Sequence, residues 1–289
     1  MSEEYLNNKN LLNNIKSKYL KIFIFSYLYE KRKLEVIKYN KNIQNMLDIK
    51  LINYKFYKGT YIIYELNGKV KEYNEYFDNI EYEGEYLNGK RNGKGKEYYI
   101  DRKLVFEGEY LNGKKNGKGK EYHYINHKII FEGEYKNNLK WNGKGYDNNN
   151  NVVYELKNGN GYVKRYYSDG KLVFECEYLN GERNGKGKEY DYDDSLEFEG
   201  EYFYGKKWNG KGYNNNNNVA YELKNGNGYV KEYYDNGKLV YEGEYLNGEK
   251  IGNIKEYYYD GNLLFEGEYL NGERNGKGKE FYYNGNLKF

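Results

Sequence analysis

Proline is absent from all 289 residues, where average usage of roughly 5% would supply about 14. Turns must therefore be made by Gly and Asn. The single cysteine, Cys176, excludes an intrachain disulfide and fits a reducing compartment. It stands where sister segments carry Gly and reads as a packing residue. The only histidines, His123 and His127, lie in the phrase YHYINHK. An H-x-x-x-H spacing binds zinc on a helix, but a strand-and-turn context without a nearby Cys predicts surface histidines. A strong charge of either sign is also lacking. The 47 basic and 44 acidic residues leave +3, too little for long-range attraction to nucleic acid or an anionic membrane. The best apolar run, Ile22 to Tyr29, is far shorter than the ~20 residues that span a bilayer. The N-terminus is acidic (Ser2, Glu3, Glu4) and shows no cleavable signal. The expected location is cytoplasmic, peripheral at most to membrane or cytoskeleton.

What the chain does have is repetition. YEGEYLNGKRNGKGKEYY at Tyr82 to Tyr99 returns in close copies from Phe106, Phe174, Tyr241 and Phe265. The Gly of EGEY, or its substitute, falls at Gly84, Gly108, Gly133, Cys176, Gly200, Gly243 and Gly267. Their intervals are 24, 25, 43, 24, 43 and 24 residues, and each 43 holds a divergent copy beginning near Val152 or Val219. A third divergent copy, IIYELNGKVKEY, starts at Ile62, and a longer period of 67 links Gly133 to Gly200 and Gly200 to Gly267. A fixed period marks an array whose units contact their neighbours. Mean hydropathy is only −1.15, but 42 Tyr and an aromatic content of 19% oppose disorder.

Alternation within each unit predicts a β-hairpin, with Tyr82, Gly84 and Tyr86 on one face and Glu83 and Glu85 on the other. The expected register sets Tyr86 over Gly95 and Glu85 opposite Lys96, with the loop at Asn88 to Gly93. Linkers such as Asp169 to Lys171 join successive hairpins. The fold class is mainly β: an elongated, twisted single-sheet array of about ten antiparallel hairpins over 59–289. Residues 1–58 form a helical N-terminal module, with apolar residues at helical spacing from Leu11 to Phe23 and from Leu34 to Leu47 and a short third helix around Ile49 to Tyr54. The sheet's open C-terminal edge is a route to self-association.

The pattern Y/F-E-G-E-Y-x-N-G-x-x-N-G-K-G resembles the MORN repeat, a hairpin unit of the form Y-x-G-x-W-x-x-G-x-x-x-G-x-G. Tyr86, Tyr110, Tyr135, Tyr178, Tyr202, Tyr245 and Tyr269 stand at its Trp-like position, and Gly84, Gly93, Gly95, Gly108, Gly117 and Gly119 are structural glycines. The resemblance implies a hairpin array used for protein scaffolding, dimerisation and attachment near membranes. The segment Lys21 to Leu47 resembles an F-box in Ile24, Phe25, Tyr27, Leu28, Leu34 and Ile37, without that motif's Leu-Pro opening or later Trp. This implies adaptor docking for a ubiquitin-ligase substrate receptor.

Catalysis needs a few polar residues distinct from their background, whereas nearly every Glu, Lys and Tyr here has equivalents. Glu83 and Glu85 recur in seven units beside Lys and read as a charge ladder. NGKGK lacks the strand, spacing and helix of a phosphate loop. The reading is a non-enzymatic scaffold that needs no cofactor or metal and binds protein, without a role in nucleic-acid binding. Lys90, Arg91, Lys94, Lys96, Lys114, Lys115, Lys118 and Lys120 form an expected basic rim, the place for an anionic lipid in the alternative reading. A row of paired tyrosines (Tyr98 and Tyr99, Tyr166 and Tyr167, Tyr233 and Tyr234, Tyr257 and Tyr258, Tyr282 and Tyr283) is the expected protein contact. The Asn runs at Asn148 to Asn151 and Asn214 to Asn218 read as turn insertions.

Overall fold

A computed structural model describes residues 54–57, 60–65, 69–74 and 79–288. The expected N-terminal helices and the F-box-like residues lie outside the described residues. Among the described residues the first strand is Tyr54–Tyr57. The chain divides into two compact units between Asn116 and Gly117. In the first, β1 (Tyr54–Tyr57), β2 (Thr60–Tyr64), β3 (Lys69–Asn74), β4 (Ile80–Leu87), β5 (Lys90–Tyr98) and β6 (Leu104–Leu111) pair antiparallel in sequence order.

The second unit holds the rest of the array, with β7 (Lys114–Tyr122) carrying the boundary. It pairs on to β8 (Ile129–Lys136), β9 (Leu139–Tyr146) and β10 (Val152–Leu156). A six-stranded sheet follows: β11 (Gly161–Tyr166), β12 (Leu172–Leu179), β13 (Glu182–Tyr190), β14 (Leu196–Phe203), β15 (Lys206–Tyr213) and β16 (Val219–Leu223). The last sheet comprises β17 (Gly228–Tyr233), β18 (Leu239–Leu246), β19 (Glu249–Tyr257), β20 (Leu263–Leu270) and β21 (Glu273–Glu280). The expected antiparallel hairpins are present, but not one continuous sheet. Pairing lapses between β10 and β11 and between β16 and β17, where a lone bridge, Lys157 to Asn160 or Lys224 to Asn227, is all that closes the hairpin. Both breaks fall on the divergent YELKNGNG units.

The hairpin register differs from the expected one. Gly84 faces Gly95, Glu83 faces Lys96, and Tyr86 faces Arg91. The connection is two residues, Asn88 and Gly89, both at positive φ (51° and 75°), as a tight primed turn requires. The second Asn-Gly, Asn92–Gly93, is no loop. Between the pairs Gly84–Gly95 and Tyr86–Arg91, β4 supplies Glu85 alone while β5 supplies Asn92, Gly93 and Lys94, which makes a bulge. Gly93 holds φ 83° there, with the Glu85 carboxylate packed where a side chain would start. In sister hairpins that carboxylate accepts the bulge N–H: Lys186 donates to Glu177 at 2.8 Å and Lys277 to Glu268 at 3.0 Å.

The second Asn of the motif serves the next turn. The backbone N–H of Asn180 donates to the Asn160 side chain at 3.0 Å, and Asn247 to Asn227 at 2.9 Å. Turn glycines extend this ladder, with Gly181 N–H donating to Gly159 carbonyl and Gly248 to Gly226, each at 2.8 Å. At the other edge, Asp169, Asn236 and Asp260 close the linker turns by accepting the N–H two residues on. The Asn insertions belong to this system, since Asn148 and Asn215 donate to the carbonyls of Tyr167 and Tyr234 at 2.7 and 2.9 Å.

The core is one layer of rings on bare backbone. Tyr82, Phe106, Phe131 and Phe198 are buried, and a Cβ on Gly95 would strike the Tyr82 ring. The covering ring is thus the first aromatic of Y/F-E-G-E-Y rather than Tyr86. Gly95→Ala should lower stability by about 1–3 kcal/mol through overpacking, whereas Lys94→Ala, on the exposed opposite face, should stay within about 0.5 kcal/mol of wild type. Urea unfolding of the two variants checks this, and equal midpoints would refute the ring-on-glycine contact.

Candidate functional site

The first aromatic of the Y/F-E-G-E-Y phrase, or of its Cys176 variant, carries a cation on its outer side. Arg91 lies 4.2 Å from the Tyr82 ring centre and Lys115 lies 3.9 Å from that of Phe106. In the second unit Lys140, Arg183, Lys207, Lys250 and Arg274 cap Phe131, Phe174, Phe198, Tyr241 and Phe265 at 3.6–4.9 Å. The Glu of K-E-Y links neighbouring cations: Glu97 pairs with Arg91 at 2.7 Å and Lys115 at 2.8 Å. Glu189 likewise joins Arg183 and Lys207, and Glu256 joins Lys250 and Arg274. Tyr of EGEY closes the set, with Tyr269 donating to Glu256 at 2.6 Å and Tyr86 donating to Glu72.

Burial would lower the charge on the Arg91 guanidinium, but Glu72 and Glu97 outweigh it and hold the group charged, above its ordinary value. Burial would raise Glu189, and Lys207 and Arg183 reverse that, so its carboxyl lies below the usual range. This face is therefore a closed circuit of matched charges.

The eight residues of the expected basic rim part accordingly. Arg91 and Lys115 turn onto the ring face, where carboxylates neutralise them. Lys90, Lys94 and Lys114 are exposed. Lys94 faces Glu109 in register, and Lys96 pairs with Glu107 at 3.5 Å. In the second unit Lys118 faces Glu134, and Lys120 pairs with Glu132 at 3.0 Å. Such exposed pairs contribute at most about 1 kcal/mol each, so they suit a solvated face with a fixed register. Gly84, Gly95 and Gly119 are buried and Gly108 is half-buried; Gly93 and Gly117 take positive φ at bulges. Tyr86 is half-buried and Tyr110 is buried on the ring face.

The tyrosine pairs serve mostly inside the array. Tyr257 donates to Glu242 at 2.9 Å, Tyr234 to the Tyr257 carbonyl at 2.9 Å and Tyr258 to the Phe281 carbonyl at 2.8 Å. Tyr99, Tyr282 and Tyr283 remain exposed, and single tyrosines outside the expected row, Tyr124, Tyr192 and Tyr259, are exposed as well. A second apolar row escaped sequence reading. The residue after EGEY is about half exposed at Leu87 and Leu111 in the first unit, and at Leu179, Phe203, Leu246 and Leu270 in the second. Its signal was an apolar residue recurring next to the turn on the charged face.

The two sheet breaks open clefts. The first, of about 200 Å³, lies between β9–β10 and β11–β12 and is lined by Lys140, Tyr154, Arg165 and Phe174 among others. The second, of about 40 Å³, repeats it around Lys207, Tyr221 and Glu232. His123, expected at the surface, is buried at the first cleft with 9% exposure, while His127 is exposed. Cys176 also departs from its sisters. Its sulfur, with Tyr202, covers Gly187, and the Phe174 ring lines the cleft. Burial pushes the Cys176 thiol up to about 12. Among the described residues no group of His, Cys, Asp and Glu could hold a metal ion, and no helix is long and apolar enough to cross a membrane.

The MORN repeat matches residues 82–102, 106–124, 175–195 and 265–287. No curated protein matches the chain.

Two outcomes follow from these charges. Stability from Glu189 is complete above its unfolded-state value and is lost as pH falls through the lower folded value, hence below about pH 4.3. Thermal melts of wild type should fall over that window and those of Glu189→Gln should fall less, and parallel curves would refute the carboxylate's role. Cys176 should resist alkylation at pH 8 in the native protein and react fully in urea. Rapid native labelling, followed by mass spectrometry, would contradict its burial.

Proposed function

We propose that this chain, which carries MORN repeats, is a non-catalytic scaffold that holds a protein partner along its hairpin edges. The observation that carries this reading is the apolar row at the turn edge, Leu179 and Phe203 in one sheet of the second unit and Leu246 and Leu270 in the next, each about half exposed. The position tolerates a charge, since Lys136 holds it in another hairpin, and only at Phe203 does a neighbouring ring, Trp208 at 5.1 Å between centroids, share in its packing. Within each sheet the two positions stand two strands apart, at about 10 Å, a spacing suited to an extended or helical segment that offers one apolar anchor per hairpin. Exposed rings at the opposite edge, Tyr192, Tyr259 and Tyr283, offer rigid contact area at low entropic cost.

The engagement of Arg91 and Lys115 by carboxylates favours protein over an anionic lipid surface. Self-association is one form such a partner takes, and the segment Ile24 to Ile37 is where an adaptor would dock in the receptor alternative.

Leu179→Asp, Leu246→Asp and Leu270→Asp combined should leave the melting temperature within a few degrees of wild type, because surface changes cost little. The same variant should lose the proteins that co-purify with the intact chain from its native cells. Retention of all of them would refute edge docking, and selective loss on deleting residues 1–56 would favour the adaptor alternative instead.

A further inference from the structure

The two clefts of the second unit are copies of one another with opposite charge. A shift of 67 positions carries Lys140 to Lys207, Tyr154 to Tyr221, Arg165 to Glu232, Phe174 to Tyr241 and Tyr178 to Tyr245. In the later copy Glu232 reaches the Lys207 ammonium at 3.1 Å, and the hydroxyls of Tyr241 and Tyr245 meet at 2.8 Å. The space there is about 40 Å³, lined by Lys207 and Glu232 with Asp191 and Glu197, and neither Tyr241 nor Tyr245 reaches it. The earlier copy has neither contact. Phe174 has no hydroxyl to meet Tyr178, and Arg165 stands where Glu232 would reach the lysine. The space is about 200 Å³.

The chemistry of the larger cleft is specific. Lys140 is already neutralised by Glu121 at 2.8 Å. Arg165 lines the cleft from its solvent-exposed mouth, faces Phe174 across β11 and β12, and among the described residues forms no ion pair with a carboxylate, so its guanidinium is open to a ligand. His123 accepts the Ile125 N–H on Nδ1 at 3.2 Å, which places the proton of the neutral ring on Nε2. Burial, with Arg165 nearby, holds His123 below its ordinary value and therefore neutral. The remaining walls include Tyr154, Leu156 and Val163. A dry cavity of about 150 Å³ accommodates benzene, so this one has room for a ring and one small substituent.

The geometry points to a binding site for a small aromatic carboxylate in the first cleft. Its ring lies among Tyr154, Leu156 and Phe174, and its carboxylate meets the planar fork of Arg165. The second cleft, lined by Asp191, Glu197 and Glu232, repels the same ligand and is an internal control. The site stands independently of the scaffold reading, because it uses the broken sheet and not the turn edge.

Titration of the full-length chain with benzoate, followed by calorimetry and by ligand-observed NMR, tests it. One saturable site is expected, with affinity at least about tenfold weaker for benzyl alcohol and for Arg165→Glu, the residue the second copy carries. Phe174→Tyr, which restores the hydroxyl pair, should weaken binding while the melting temperature holds. Absence of saturable benzoate binding to wild type would overturn the proposal. Equal binding by Arg165→Glu, or full competition by inorganic phosphate at equal concentration, would overturn it too.

Discussion

A flat ring lying on bare backbone is the contact on which the rest of this array depends. Two glycines face each other across each regular hairpin, as Gly84 and Gly95 do, and only their lack of Cβ lets the first aromatic of Y/F-E-G-E-Y lie down over them. A ring held flat presents its negative face to the same side in every unit, which is where Arg91 and its counterparts sit. Cations in a row one hairpin apart need anions between them, and Glu97, Glu189 and Glu256 supply these. Glycine, aromatic, cation and carboxylate are therefore one device, and removing any member exposes the others to an unmatched neighbour.

This device explains how a chain with so few aliphatic residues holds a fold. The ring layer supplies the buried area, and edge-on contacts such as Tyr82 to Tyr110, with centroids 5.3 Å apart, add directional preference. The two turn edges supply the rest, because each Asn-Gly turn donates its backbone N–H groups to the turn before it. Units cohere along three lines: the ring face and both edges. The exposed Glu–Lys ladder on the other face fixes register and solubility more than stability.

Much of this was legible in the sequence, and what was not has a definite cause. Period, hairpin, glycine under ring and the alternation of faces could all be read from one unit. The register could not, because the motif holds Asn-Gly twice and both copies allow positive φ. Only pairing distinguishes the turn at Asn88 from the bulge at Gly93. Once Asn92–Gly93 is read as loop, β5 is cut short, and Arg91 is assigned to a rim although it shares the alternation of Gly93 and Gly95. The burial of His123 and the role of Asn148 in holding Tyr167 arise between units, so no single unit encodes them.

Where the array departs from its own rule, it gains something a regular sheet lacks. A hairpin closed by a single bridge separates its strands, and the hairpin that follows each break loses the ring-on-glycine contact. Cys176 stands in place of one glycine in the first case and Ile254 in the second. With the glycine pair interrupted, the ring at Phe174 or Tyr241 no longer has that backbone to cover. The repeat at a shift of 67 positions gives two such openings with the same lysine, the same tyrosine and the same turn. Residues 165 and 232 hold the position of the linking Glu in K-E-Y: Glu232 keeps the carboxylate and pairs with Lys207, whereas Arg165 replaces it with the opposite charge. The regular repeats hold the fold, and the irregular ones leave room for chemistry that differs between copies.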